Sequence, residues 1–135
     1  MEIGDASNSQ IMYSMLKKGL DAYSHRGKVT ANNIANMNTP GYKRHYVTFE
    51  DSLNESVNNI RLKKTNEKHM NGGKGAEFGE SQEMIDKSSS MKSDGNNVDV
   101  DSEETNQAAN QLMYNALITE ANKKLSETRY IINGR

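Results

Sequence analysis

No cysteine occurs among the 135 residues, which excludes disulfides, a thiolate nucleophile and a cysteine-rich zinc site. Tryptophan is absent too, aromatic residues make up 6% and hydrophobic residues 33%, against roughly 45 to 50% apolar (glycine included) in an average globular domain. A thick, self-contained core cannot be built from this. Neither charge sign dominates. Seventeen Lys and Arg against eighteen Asp and Glu leave a net charge of −1, so the overall basic field of a nucleic-acid binder is missing and protein is the expected partner. The first ten residues carry neither a basic start nor an apolar stretch, and nowhere do about 18 apolar residues run together. Neither a cleavable secretion signal nor a membrane span is expected. The length suits one domain of roughly 100 to 200 residues.

Periodicity is abundant at both ends. Met12, Leu16, Leu20, Tyr23, Gly27, Ala31 and Ile34 recur every three or four residues, the spacing of one helical stripe. A helix is predicted from about Asn8 to Met37. Ser7 and Gln10 are spaced as a capping box at its start, and Pro40, the only proline, closes it by disfavouring helix at Thr39. Ala109, Met113, Leu117, Ala121, Leu125, Thr128 and Ile132 form a second stripe. A second helix is predicted from about 102 to 132, with Asp101 and Glu104 as a capping box, Glu103 and Glu104 compensating the dipole, and Asn133-Gly134 as the left-handed C-cap. Between the stripes, residues 50–95 are rich in Asn, Ser, Lys, Glu and Gly, with Gly72-Gly73-Lys74-Gly75 in the middle. They read as a flexible or weakly structured insert, preceded by one short strand where Tyr46, Val47, Thr48 and Phe49 alternate. The parts are thus 1–49, 50–95 and 96–135. Residues 1–74 hold 11 positive and 7 negative side chains, and residues 75–135 hold 6 and 11, so the halves can attract each other or a neighbouring copy.

Catalytic, metal and cofactor sites find no support. His25, His45 and His69 stand apart in sequence and read as solvated, and no serine lies in a Gly-x-Ser-x-Gly elbow. Asp99 and Asp101 precede a helix, where dipole compensation is sufficient cause. Gly73-Lys74-Gly75 departs from the phosphate-binding loop pattern. Asp94-Gly95-Asn96-Asn97-Val98-Asp99 has Asp99 where a calcium loop needs glycine, so a turn and helix entry explain it better. Tyr42-Lys43-Arg44-His45-Tyr46 mixes basic and aromatic groups as single-strand binders do, but contact with an acidic protein surface suits so short a run. An apolar stripe is ordinarily core; here both helices are long and have little between them to cover their stripes.

One run goes beyond pattern. Ala31-Asn32-Asn33-Ile34-Ala35-Asn36-Met37-Asn38-Thr39-Pro40-Gly41-Tyr42-Lys43-Arg44, followed by Val47-x-Phe49-Glu50, resembles the signature of the bacterial flagellar rod and hook proteins. Asp94 to Asp99, Tyr114-x-Ala116-Leu117 and the closing Ile132-Asn133-Gly134-Arg135 are most similar to the short proximal rod subunits of that family. Within the run, Thr39-Pro40-Gly41-Tyr42 suits a type II turn with Gly41 at positive φ.

The resemblance implies a mainly α fold, in which long N- and C-terminal amphipathic helices pair as a coiled-coil-like hairpin around a flexible or weakly β central insert. It implies a structural subunit of the basal-body rod, not an enzyme, that polymerises into the axial drive shaft and export conduit. The family signature and turn are Asn33, Ile34, Ala35, Asn36, Thr39, Pro40, Gly41, Tyr42 and Lys43. The implied assembly faces carry Met12, Leu16, Leu20, Tyr23 and Ile34 on the first helix and Met113, Leu117, Ala121, Leu125 and Ile132 on the second. Implied partners are other copies, other rod proteins, the rod-base adapter protein, the membrane ring and the export gate, with no nucleic acid and no small-molecule substrate. The implied location is the flagellar basal body, reached by type III export without a cleaved signal. A sibling rod protein, a non-enzymatic helical adaptor and a helical nucleic-acid binder using Lys17, Lys18, Arg26, Lys28, Lys43 and Arg44 are the competing readings.

Overall fold

The computed structural model describes residues 8–50, 80–90 and 92–134. Helix α1 spans Asn8–Ala35, strand β1 His45–Thr48, strand β2 Gln82–Ile85 and helix α2 Val100–Asn133. At 28 and 34 residues the helices are roughly 42 and 51 Å long. The predicted helices, the strand after the turn and the left-handed cap at Gly134 (φ 65°) are all present. Ser7, Gly72 to Gly75 and His69 lie outside the described residues, as does most of the predicted insert.

Helix α1 ends at Ala35, two residues before the predicted stop. The chain tightens there through bonds from Met37 N to Ile34 O (3.2 Å) and Thr39 N to Asn36 O (3.0 Å). It reverses where Tyr42 N donates to Thr39 O (3.2 Å), with Gly41 at φ 72°, the positive value that a type II turn requires at its third position. A second turn docks on this one. Asp94 Oδ1 accepts from Asn96 N (3.0 Å) across Gly95, at φ 80°, and Gly41 N donates to Asp94 O (2.8 Å). A Cβ on Gly95 would lie 3.8 Å from the Gly41 Cα. The Asp94 run is thus a turn leading into a helix, as its sequence indicates.

Helix α2 starts at Val100, not near residue 102, and its cap is Asp99 in place of the predicted Asp101 and Glu104 pair. Asp99 has an extended backbone (φ −100°, ψ 111°), and its side chain accepts from Asp101 N at 3.2 Å. This is ordinary N-cap geometry, and it leaves Asp101 inside the first turn.

The helices run antiparallel. Asn33 meets Glu103, Asn110 meets Tyr23, and Leu117 meets Gly19. Gly19 and Gly27 let the backbones approach, because added Cβ atoms would come within 3.0 Å of Leu117 and 3.2 Å of Asn110. Strand β1 pairs antiparallel with β2, with His45 opposite Ile85 and Val47 opposite Glu83. Strand β2 belongs to the stretch read as an insert, so the end of that stretch is tied back to the N-terminal part.

Among the described residues the buried apolar side chains are Leu16, Ala22, Val29, Val47, Phe49 and Val98. Nearly as many buried residues are polar: Thr30, Asn33, Asn96, Glu103 and Asn110. Apolar burial of this extent cannot fix the arrangement alone, so polar geometry must contribute to it.

Because no atom lies within 4 Å of a Cβ built on Gly41, a substitution there meets backbone strain and no clash. Gly41→Val should lower stability to chemical denaturation by about 1 to 3 kcal/mol, while Lys28→Val on the exposed face of α1 should change it by less than about 1 kcal/mol. Equal stability of Gly41→Val and the parent protein would contradict the turn assignment.

Candidate functional site: a polar clasp and a bare helix end

The signature run folds into a clasp. Asn33 is fully buried on the last turns of α1, and an amide there must be satisfied on both ends. Its Nδ2 donates to His45 O (2.7 Å) and Glu103 Oε2 (2.8 Å), while its Oδ1 accepts from His45 N (3.0 Å) and the Tyr42 hydroxyl (3.2 Å). Two donors and two acceptor positions are the whole capacity of an asparagine. By binding both backbone groups of His45, this side chain acts as a neighbouring strand would, and it closes one edge of β1. Arg26 adds to that edge by donating to Val47 O (3.3 Å).

Glu103 is 1% exposed. Besides the Asn33 amide it accepts from Arg44 Nε at 2.6 Å, so its buried charge is both paired and hydrogen-bonded, as burial demands. Arg44 also donates its backbone N–H to Asn97 Oδ1 (2.7 Å), lies 3.9 Å from Asp86 through NH1, and stacks over Tyr46 at 5.9 Å. Desolvation, with the nearby charges of Glu83 and Glu103, pushes the Tyr42 hydroxyl above its ordinary pKa and keeps it a donor.

Asn96, also fully buried, deals with the end of α1. A helix terminus leaves carbonyls without intrahelical partners. The Asn96 amide donates to Asn36 O (3.0 Å), Met37 O (3.1 Å) and Thr39 O (2.9 Å), and its Oδ1 accepts from Val98 N (2.8 Å). Lys92 Nζ reaches Met37 O at 3.3 Å, and Ser90 Oγ donates to Asn96 O.

Of the other signature residues, Asn36 donates to Asn32 O (2.8 Å) and accepts from Thr39 Oγ1 (3.3 Å), and Lys43 Nζ donates to Ser88 O (3.4 Å). Ile34 is half-buried, and Ala35, Thr39, Pro40 and Gly41 are exposed. Three readings of the sequence need correcting. Glu103, taken as dipole compensation, is the centre of the clasp, and the acidic surface met by the Tyr42 to Tyr46 run is this chain's own. His25 and His45 are not solvated singletons either, since both contact Glu83.

Beside the clasp lies an open cleft of about 370 Å³ whose lining includes Tyr23, Arg26, Tyr46, Ala109 and Met113. Arg26 stacks over Tyr23 at 5.2 Å and holds Glu50 at 2.7 Å, and Arg44 is held by Glu103. Both guanidiniums in the cleft wall are therefore already matched by carboxylates. Among the described residues no group of three His, Asp or Glu is placed to hold a metal ion.

The helix stripes divide. Leu16 is buried and Leu20, Tyr23, Leu117 and Ala121 are half-buried, whereas Met12, Met113, Leu125 and Ile132 are exposed. Sequence periodicity passed over Leu112 (72% exposed), Tyr130 (64%) and Ile131 (79%). They extend the uncovered apolar surface along α2, most densely at its C-terminal end.

Residues 17–43 match the family model described as flagella basal body rod protein. Over 104 residues the chain is 45% identical to the flagellar basal body rod protein FlgB of Borrelia hermsii, covering 70% of this chain and 76% of that protein. It is 38% identical over 105 residues to FlgB of Borreliella burgdorferi, covering 73% and 78%. Against FlgB of Bacillus subtilis the identity is 32% over 123 residues, covering 88% and 91%. The chain belongs to the FlgB family of flagellar basal body rod proteins. The matched residues 17–43 of the rod family model run from the Gly19 seam to the turn, and include Asn33 and Tyr42 of the clasp.

Two predictions follow from the site's electrostatics. Asn33→Asp keeps the shape but sets a second carboxylate against Glu103 and His45 O, and should destabilise the fold by about 2 to 4 kcal/mol. Asn36→Ala, which loses only local bonds, should cost under about 1 kcal/mol. Matching denaturation midpoints for Asn33→Asp and the parent protein would remove the clasp.

The second concerns acid. Burial raises the Glu50 carboxyl's pKa, but hydrogen bonds and charge from Arg26 outweigh it and hold the group below its ordinary value. Bonds from Ser88, with smaller help from Arg44 and Lys43, lower Asp86 likewise. Carboxylates lowered on folding stabilise above their unfolded values, near pH 4, and that stability disappears as pH falls through the lowered folded values. Arg26→Gln should therefore flatten the acid limb of a stability profile below about pH 4. An acid limb of unchanged steepness would contradict the Arg26 assignment.

Proposed function

We propose that this chain is a structural subunit of the proximal rod of the flagellar basal body, and that its copies polymerise through their terminal helices into the axial shaft and export conduit. Segments 1–49 and 96–135 supply the assembling helices, and 50–95 is the insert between them. The observation that carries this reading is the uncovered apolar surface of α2: Leu112, Met113, Leu125, Tyr130, Ile131 and Ile132 are each at least half exposed. Apolar residues of this size in one continuous helix are unfavourable in water and mark an interaction surface. A surface running along one helix of a molecule suits heterologous contacts, which propagate into an open helical assembly where a two-fold contact would close.

Partners in this reading are other copies, other rod proteins, the rod-base adapter protein, the membrane ring and the export gate. The subunit is exported through the flagellar type III channel without a cleaved signal, and it has no enzymatic role and no cofactor. Among the described residues, no helix is long and apolar enough to cross a membrane.

The test uses two side chains that are mostly exposed in the single subunit. Leu112→Asp and Ile131→Asp should leave the stability of the purified chain within about 0.5 kcal/mol, yet abolish swimming and remove the subunit from isolated basal bodies. Leu117, packed on Gly19, should behave differently. Leu117→Asp attacks the seam and should destabilise the chain itself by roughly 1.5 to 3 kcal/mol. Normal motility of the first two variants at normal protein level would remove the assembly-face reading.

A further inference from the structure

Strand β2 is short and exposed at every position, with Met84 and Ile85 about half accessible. Little apolar burial holds it, so its attachment depends on the ladder to β1 and on side-chain contacts. Those contacts converge on one carboxylate. Glu83 stands opposite the buried Val47 and therefore shares the sheet face turned toward α1. Its Oε1 lies 2.5 Å from His45 Nδ1 on β1, diagonally placed on the same face. Its Oε2 lies 3.6 Å from His25 Nε2 on α1, while the other nitrogen of that ring lies 3.0 Å from Ser81 Oγ. Two imidazoles from two elements thus grip one acidic side chain on a third.

We propose that His25, Glu83 and His45 form a proton-operated latch that fastens β2, and with it the returning end of the central segment, to the helical body. Imidazoles are the side chains whose charge changes between pH 5 and 8. With both rings protonated, Glu83 lies between two cations. With both neutral, the two ion pairs are gone and only weaker hydrogen bonding and the short ladder hold the strand. The hold is therefore stronger with the rings charged than with them neutral, and it weakens as they lose their protons.

The other charges around the latch do not cancel this effect. On α1, Lys18 is 3.6 Å from Glu80 and Arg26 is paired with Glu50. Asp21 and Lys28, about one turn to either side of His25, are exposed and opposite in sign. On the side of β1, Tyr42 stacks on His45 at 5.6 Å with its hydroxyl kept protonated, and Arg44 is engaged by Glu103 of α2 and by Asp86. The latch goes beyond the rod reading and does not depend on it.

Hydrogen exchange of the full chain from pH 5.5 to 8, corrected for intrinsic exchange rates, tests the latch. Protection of the β2 amides should fall about three- to tenfold over this range, the sum of two partly exposed ion pairs, while amides along the α1 and α2 seam keep theirs. In Glu83→Gln the β2 protection should become flat with pH. A flat profile in the parent protein, or an undiminished slope in Glu83→Gln, would overturn the proposal. Imidazole titration by NMR in the unmodified chain is an independent check. Shifts of the β2 amides should follow the His25 and His45 midpoints, and β2 amides that do not respond to either ring would also overturn it.

Discussion

A buried carboxylate must be matched, and in this chain that requirement falls on Glu103. Its neighbours come from positions far apart in sequence: Asn33 at the end of α1 and Arg44 just before β1. An unpaired charge in such a place costs several kcal/mol, so any compact arrangement that encloses the first turn of α2 must bring both partners to it. Satisfying one group thereby fixes three segments at a single point. An apolar triad of similar volume would bind as strongly, yet it would accept many rotations and registers; the directed bonds here accept one.

The rest of the architecture extends from that point. With the start of α2 held at the end of α1, the helices can only run antiparallel, and Gly27 and Gly19 let them approach. Asn96 seals the carbonyls at the end of α1, so the chain can turn sharply at Gly41 without leaving polar groups unmatched. Helix α2 is the longer of the two, and the clasp aligns them at the opposite end, so the surplus length emerges at the C-terminal end of α2. Among the described residues, nothing covers its apolar side chains. A scarce apolar composition is thus divided between a thin internal seam and an external face, which suits a FlgB-family protein whose relatives are named for the basal body rod.

Much of this was legible in the sequence where the cause is local. Helical stripes, the Thr39-Pro40-Gly41-Tyr42 turn, the Asp94 turn and the Gly134 cap depend on a few neighbouring residues, and each stands where the pattern places it. The N-cap of α2 was misread because Asp99 and Asp101 are equally good capping types and only the backbone distinguishes them. Glu103 was hidden by a sufficient local explanation, since an acidic residue in a first helical turn is ordinary. Its burial depends on residues some 60 to 70 positions away. Strand β2 lacks alternation because none of its residues is buried, and the histidines looked isolated because their shared partner, Glu83, lies on that unseen strand.

The central claim is that the clasp persists within each subunit while the exposed apolar side chains along α2 are covered by a neighbour. A side-chain-resolution cryo-electron microscopy map of the assembled basal body tests both halves at once. Asn33, Arg44 and Glu103 should remain in mutual contact, and Leu112, Tyr130, Ile131 and Ile132 should be buried against another subunit. Those residues facing solvent in the rod, or Glu103 released from Asn33 and Arg44, would contradict it.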